Sequence, residues 1–181
     1  MYQRLSQPWL CTLPVHQDGW IAVTDFDLAE TDLSLAALFA GWAMADELQR
    51  RLAADGFADA RFADGVIFQH LVGGPLTIGI LAGRLGVTQQ AASKSVLDLE
   101  RRGYTERIPA PRDSRAHLAA LTERGHALIA AARAHRLALS SELASHLGPG
   151  SVASAHRLLL EVIRMLGGEQ AIRARNVRPP R

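Results

Sequence analysis

Cysteine is almost absent: Cys11 is the only one in 181 residues. A single thiol excludes a disulfide framework within the chain, and the composition fits a reducing cytosol. No run of about 18 apolar residues occurs, so no membrane-spanning helix is expected. Near the N-terminus Arg4 stands without an apolar stretch and a small-residue cleavage site after it, which argues against a signal peptide. Aromatic residues make up only 6%, and alanine and leucine are plentiful, a balance that favours helices. The motifs of catalysis are missing too. There is no Gly-rich phosphate loop, no HExxH, no GxSxG and no paired-cysteine site. The seven histidines are scattered without paired ligand spacing, so neither a metal site nor a cofactor is expected. An enzyme is the least favoured class.

What is present is an ordinary globular composition, 48% hydrophobic and 21% charged, long enough for one domain or two small ones with a real core. The net charge of +2 hides an asymmetry. Residues 1–83 carry four Lys or Arg against ten Asp or Glu, residues 84–136 ten against five, and residues 137–181 six against three. Localised positive charge points to a polyanionic partner, with a plain solvated surface as the alternative.

Residues 1–30 hold Pro8, Pro14, Gly19, Trp9 and Trp20 without a sustained period, and read as an arm. Residues 31–56 read as a long helix that Thr31 or Asp32 can cap and Gly56 can stop. Its first half, Leu33 to Ala45, is apolar nearly all round, so it must be buried on more than one side; dimerisation is one way. Residues 58–72 read as a shorter helix with Phe62, Val66, Phe68 and Leu71 among its apolar positions, closed by Gly73-Gly74-Pro75.

Over residues 76–104 two short helices meet at a tight turn. Thr77 caps the first, which turns Leu81, Ala82 and Leu85 inward. Gly86 makes the turn, Val87 plugs it, and Thr88 caps the second helix. There Ala92, Val96 and Leu99 form one inward stripe. This is the helix-turn-helix pattern. Gln89, Gln90, Ser93 and Lys94 lie off that stripe. Gln can pair with adenine edges and Lys with guanine, while helix N-terminal N–H groups favour phosphate; the alternative is again a solvated face. Tyr104–Ile108 and Ala116–Leu121 then fit the strands of a hairpin. Arg112 and Arg115 at its tip suit a narrow minor groove. Asp113 can stiffen the tip, and Pro109 and Pro111 restrict its freedom. Thr122 caps a helix over Glu123 to Leu147, striped with Leu128, Ala132, Leu139, Leu143 and Leu147. Ser151 or Ser154 opens a last helix, ended by Gly167-Gly168, and a basic tail with Arg173, Arg175, Arg178 and Arg181 follows.

Residues 76–125 resemble the multiple-antibiotic-resistance regulator (MarR) family of winged helix-turn-helix transcription factors. The resemblance rests on LAGRLGVTQQAASKSVLDLERRGYTER, on the wing sequence Asp113-Ser114-Arg115, and on Leu-Thr-Glu-x-Gly at Leu121 to Gly125. Ala92 departs from it, standing where the family carries a β-branched residue. So does the long segment before the first helix. The resemblance implies a mainly α fold with a small β-hairpin wing. It places a helical dimerisation region in residues 31–56 and 122–168, and a DNA-binding lobe in residues 57–121, between the 1–30 arm and the 169–181 tail. It further implies a homodimer on a pseudo-palindromic double-stranded operator, acting as a repressor released by a small aromatic or phenolic effector. Carried over by position, Thr88, Gln89, Gln90, Ser93 and Lys94 face the major groove. Arg112, Asp113, Ser114 and Arg115 serve the wing. Phe39, Trp42, Phe68 and His70 are the effector-site candidates, with ordinary core as their alternative. Oxidant sensing at Cys11 is disfavoured, because the flanking tyrosines of the family's redox sensors are not recognisable around it. A winged-helix module for RNA or protein, without duplex recognition, is the competing function; stacking aromatics expected for RNA are scarce, Tyr104 being the one in 88–115.

Overall fold

The computed structural model describes residues 30–110 and 113–174, and of residues 113–116 the backbone alone. The arm up to residue 29, Arg112 and the tail from Arg175 lie outside the described residues. The chain divides into two compact units, residues 1–43 and 44–181.

In the first unit Asp32 opens α1 (Leu33–Leu52). Its Oδ1 accepts from the backbone N–H groups of Ser34 at 2.8 Å and Leu35 at 3.0 Å, which satisfies donors that a helix start leaves orphaned. Those bonds decide between Thr31 and Asp32. Leu33, Leu35, Leu38 and Trp42 are exposed in the single chain.

In the second unit α1 stops earlier than its spacing predicts. A π-helical turn, Ala53–Phe57, follows Leu52, and Gly56 within it takes φ 90°, which no α-helix continues. The next helix, α2 (Asp64–Leu71), is also shorter than the predicted 58–72. The backbone before it is held by other bonds: Gln49 Nε2 donates to the Ala60 carbonyl at 2.8 Å, and the Asp64 carboxylate accepts from the Arg61 N–H at 2.8 Å. Phe62 therefore lies in a turn and is 69% exposed, a correction to its expected helical, inward place.

The helix-turn-helix follows its sequence closely. Thr77 Oγ1 accepts from Ile80 N–H at 3.2 Å and opens α3 (Ile78–Leu85); Thr88 Oγ1 accepts from Ala91 N–H at 3.2 Å and opens α4 (Gln89–Arg101). Between them Gly86 is left-handed at φ 57°. Its own N–H donates to Gly83 O and that of Val87 to Ala82 O, both at 3.1 Å, so the last carbonyls of α3 are satisfied. Val87 does not plug this turn. It is 44% exposed, because the backbone bonds already fix the turn and leave its side chain outside. Leu81, Ala82, Leu85, Ala92, Val96 and Leu99 are all buried as their spacing predicts.

The wing is more than a hairpin. A short strand β1 (Leu76–Thr77) joins β2 (Thr105–Ala110) and β3 (Asp113–Leu121) in an antiparallel sheet of order β1-β3-β2. Leu76 pairs with Ala119, and Thr105 with Leu121. The ladder also runs farther than predicted, to Ala110 opposite Asp113, with a register shift after Pro109; proline has no N–H to give to a ladder.

Helix α5 (Glu123–Leu147) begins where Leu-Thr-Glu-x-Gly predicts, and each residue type has a task. Thr122 Oγ1 accepts from Gly125 N–H at 3.1 Å and donates to Gly103 O at 2.6 Å, while Thr122 N–H donates to Tyr104 O at 3.1 Å. A Cβ on Gly125 would run into that same Tyr104 carbonyl oxygen. Of the α5 stripe Leu128 is buried, whereas Leu147 is exposed. Helix α6 (Pro149–Met165) starts at proline, with Gly148 at its cap and no side-chain cap bond, rather than at Ser151 or Ser154. Proline is pre-set for a first helical position, where its missing N–H costs nothing. The tail contributes one short helix, α7 (Glu169–Arg173). The core gathers Phe68, Leu71, Leu81, Val96, Leu99, Tyr104 and Leu128, with the Phe68 and Tyr104 rings edge to face at 5.9 Å.

Candidate nucleic-acid interface and adjoining cavity

Burial of Ala92, Val96 and Leu99 fixes how α4 is rolled, and the opposite side is thereby presented outward. Thr88, Gln89, Gln90 and Lys94 are exposed, and Ser93 is half-buried at the edge of the stripe. Gln90, Lys94, Leu97 and Arg101 follow one another at helical spacing on this outer face. The Gln89 amide leans on α3, with Nε2 3.4 Å from where a Cβ on Gly79 would stand. Among the described residues Lys94 and Arg101 form no ion pair, so both cations are free for an external anion. Leu97, 37% exposed, was not singled out from the sequence. The signal was there, since it lies three residues beyond Lys94 on the same face; its apolar side chain suits a thymine methyl.

On the wing, Asp113, Ser114 and Arg115 belong to the first residues of β3, and Arg112 lies outside the described residues. His117 is exposed and pairs in register with Pro109.

The inner end of α4 is anchored by charge, which the sequence reading missed. Arg102 donates to both Asp64 oxygens at 2.6 and 2.9 Å and to Asp98 Oδ2 at 2.7 Å. The Arg102 and Asp64 side chains are only 12% and 10% exposed. Hydrogen bonding to Asp64 raises the guanidinium's pKa and keeps it charged. Beside it Tyr104 donates its hydroxyl proton to Asp59 at 2.5 Å, and Arg124 stacks 4.7 Å over the tyrosine ring. Burial first, then the Asp59 bond, pushes the Tyr104 hydroxyl up to about 12. The partners are 38 and 45 residues apart, beyond the reach of local pattern.

A cavity of about 550 Å³ opens between the end of α1, the start of α2 and α5. Its wall is apolar, with Leu52, Val66, Phe68 and Leu128 among the lining residues, and it carries Arg61, Arg133 and Arg136 with no Asp or Glu. Of the four effector-site candidates, Phe68 lines this cavity. His70 is buried in the second unit and is not among the lining residues. Phe39 and Trp42 pair with each other in the first unit, ring centres 5.8 Å apart.

Residues 66–116 match the MarR family model. The fold is similar to that of RV1404 from Mycobacterium tuberculosis, at 22% identity and TM-score 0.61 over 77% of this chain and 97% of that one. It is similar to a MepR variant from S. aureus bound to an oligodeoxyribonucleotide, at 21% identity and TM-score 0.57 over 76% and 99% of the two chains. A MarR variant from E. coli shares 24% identity at TM-score 0.54, over 74% and 97%. No curated protein matches the chain. At these identities the solved structures speak for the fold alone; the matched segment, which holds the helix-turn-helix and the tip of the wing, is similar to the MarR family. No helix among the described residues is long and apolar enough to cross a membrane.

Proposed function

We propose that this chain is a sequence-specific DNA-binding transcriptional regulator, a homodimeric repressor released from a pseudo-palindromic operator by a small aromatic or phenolic effector. The observation that carries the reading is the outward face of α4. Its N-terminal half, Thr88 to Lys94, is presented by a rigid two-helix unit and is free of acidic residues, with Lys94 unpaired among the described residues. Gln90, Ser93 and Lys94 supply base-edge donors and acceptors, and Thr88 with the first N–H groups supplies a phosphate contact. The wing's Arg112 and Arg115 then enter the neighbouring minor groove, with Asp113 and Ser114 shaping the tip. Residues 57–121 form the DNA-reading lobe in this scheme.

Residues 31–56 and 122–168 form the dimerisation region. Leu147, Leu158, Leu159 and Met165 stand exposed along α5 and α6 of the single chain, and so much exposed apolar surface calls for a partner. The effector enters the cavity beside α2, whose size and apolar wall suit a small ligand. Phe68 belongs to that wall.

Selection of bound duplexes from a random pool, at moderate salt, tests the reading. A pseudo-palindrome with half-sites about one helical turn apart is the expected product. Binding to every duplex alike, lost steeply with salt, would mean phosphate contact without sequence recognition and would refute the specific-regulator reading.

A further inference from the structure

Arg61 belongs to two structures at once. It lines the cavity, and its Nη1 donates to Asp98 Oδ2, 3.1 Å away on α4. Asp98 sits in the last turn of that helix, where a negative charge opposes the helix dipole. It is held there by cations, Arg61 from the α2 entry and Arg102 from its own helix end. The two arginines are not equivalent. Arg102 is buried and bidentate to Asp64. The Arg61–Asp98 pair is exposed, 64% and 40% for the two side chains, and exposed pairs hold weakly and break readily. Within the cavity the charge is one-sided, with three guanidiniums and no carboxylate. Among the described residues neither Arg133 nor Arg136 has an ion-pair partner.

We propose that the cavity takes an apolar monoanion and that Arg61 relays its arrival to the recognition helix, by leaving Asp98 for the ligand's charge. This rests on the effector reading of the cavity given above and adds the ligand's charge and the residue that reports it. Apolar walls take the body of the ligand, and Arg133 and Arg136 on α5 stand with Arg61 to meet its charge. When Arg61 turns to the anion, α4 loses its tie to the α2 entry and keeps only the Arg102 anchor. Linkage then sets a sign: whatever removes Asp98 as competitor strengthens anion binding and weakens duplex binding.

Anilinonaphthalene sulfonate, a fluorescent apolar monoanion, serves as probe, with neutral N-phenylnaphthylamine as its uncharged counterpart. Duplex affinity is read on a selected operator. The full chain should bind the sulfonate more tightly than the neutral amine, and its duplex affinity should fall severalfold when the probe saturates, the scale of one exposed ion pair. Asp98→Asn should bind the probe severalfold more tightly and the duplex severalfold more weakly, and added probe should weaken the duplex complex no further. The two changes run in opposite directions, so a damaged fold, which loses both, cannot imitate them. Arg61→Gln should match the probe-saturated parent on DNA and be equally insensitive to the probe. If Asp98→Asn and Arg61→Gln hold the duplex like the parent and release it with probe like the parent, the relay is refuted and the effector reading stands. If the parent's duplex affinity ignores bound probe, or no probe binds, both fall together. Equal binding of the neutral amine refutes the anionic ligand.

Discussion

Replacing Gly125 by alanine should destabilise the protein, although the same change at an ordinary helix position does the reverse. Gly125 is the third residue of α5. Alanine in a helix interior gains roughly 1 kcal/mol over glycine. Here the added Cβ would meet the Tyr104 carbonyl oxygen, and would stand 3.2 Å from Leu121 Cδ2. That carbonyl cannot step aside freely. It accepts from Thr122 N–H at 3.1 Å, and the Tyr104 N–H is bonded to Leu99 O at 2.9 Å. The Tyr104 side chain is wholly buried. Overpacking of a fixed site costs about 1–3 kcal/mol, and stretching the Thr122 bond about 1 kcal/mol more. Set against the helix gain, the net loss is about 1–3 kcal/mol. Urea unfolding at one protein concentration measures it, the concentration being held because association, where it occurs, shifts apparent stability. Gly65→Ala is the internal control: Gly65 lies in α2 and nothing stands within 4 Å of its added Cβ, so that variant should be unchanged or firmer. Gly125→Ala unfolding at the same or higher urea than the parent, beside a well-behaved Gly65→Ala, would sink the steric account of the Leu-Thr-Glu-x-Gly motif.

Arg102→Met should cost about 3–5 kcal/mol, since it leaves the nearly buried Asp64 carboxylate without its cation. Adding Asp64→Leu should restore much of that in the same denaturation assay; no recovery in the double variant contradicts the ion-pair explanation. Tyr104 has its pKa raised from 10.0 to about 12 in the folded chain. The folded state therefore holds this proton more tightly, so its stabilisation is complete below pH 10 and fades as pH rises toward about 12, by roughly 2–3 kcal/mol. Unfolding curves across that range should slope in the parent, and Tyr104→Phe should remove part of the slope. Lys94→Ala should change the ranking of duplex sequences as well as the affinity, and a uniform loss across sequences would make Lys94 a phosphate contact. Arg115→Ala should weaken operator binding by about 1–3 kcal/mol; unaltered affinity there would remove the wing from the interface.

The helix-turn-helix was legible because its determinants are local. Thr77, Gly86, Thr88 and the Ala92–Val96–Leu99 stripe act within one or two turns of their own position, and each is found where its spacing placed it. Where long-range bonds compete, spacing failed. The apolar run in residues 58–72 reads as helical, yet Gln49, Asp64 and Arg102 hold its first part in turns, Arg102 also bonding the Asp59 carbonyl at 2.9 Å. β1 escaped notice because two residues leave no alternation to read, and its partners Leu118 and Ala119 are some forty positions away. The ionic cluster was invisible for the same reason: nothing near Asp64 in sequence announces Arg102.

These two kinds of determinant divide the labour along α4. Its first half is fixed by local chemistry, a threonine cap and an apolar stripe, and leaves its outer side chains exposed. Its last turn is fixed by charges from elsewhere in the chain, Asp98 and Arg102 meeting Arg61 and Asp64. A helix of 13 residues is about 20 Å long, so a small rotation about the anchored end displaces Gln90 and Lys94 most. Base-edge hydrogen bonds tolerate little displacement, since they weaken steeply with angle and distance. An adjustable anchor at the inner end is therefore well placed to control contacts at the outer one, while the stripe between them keeps the helix whole.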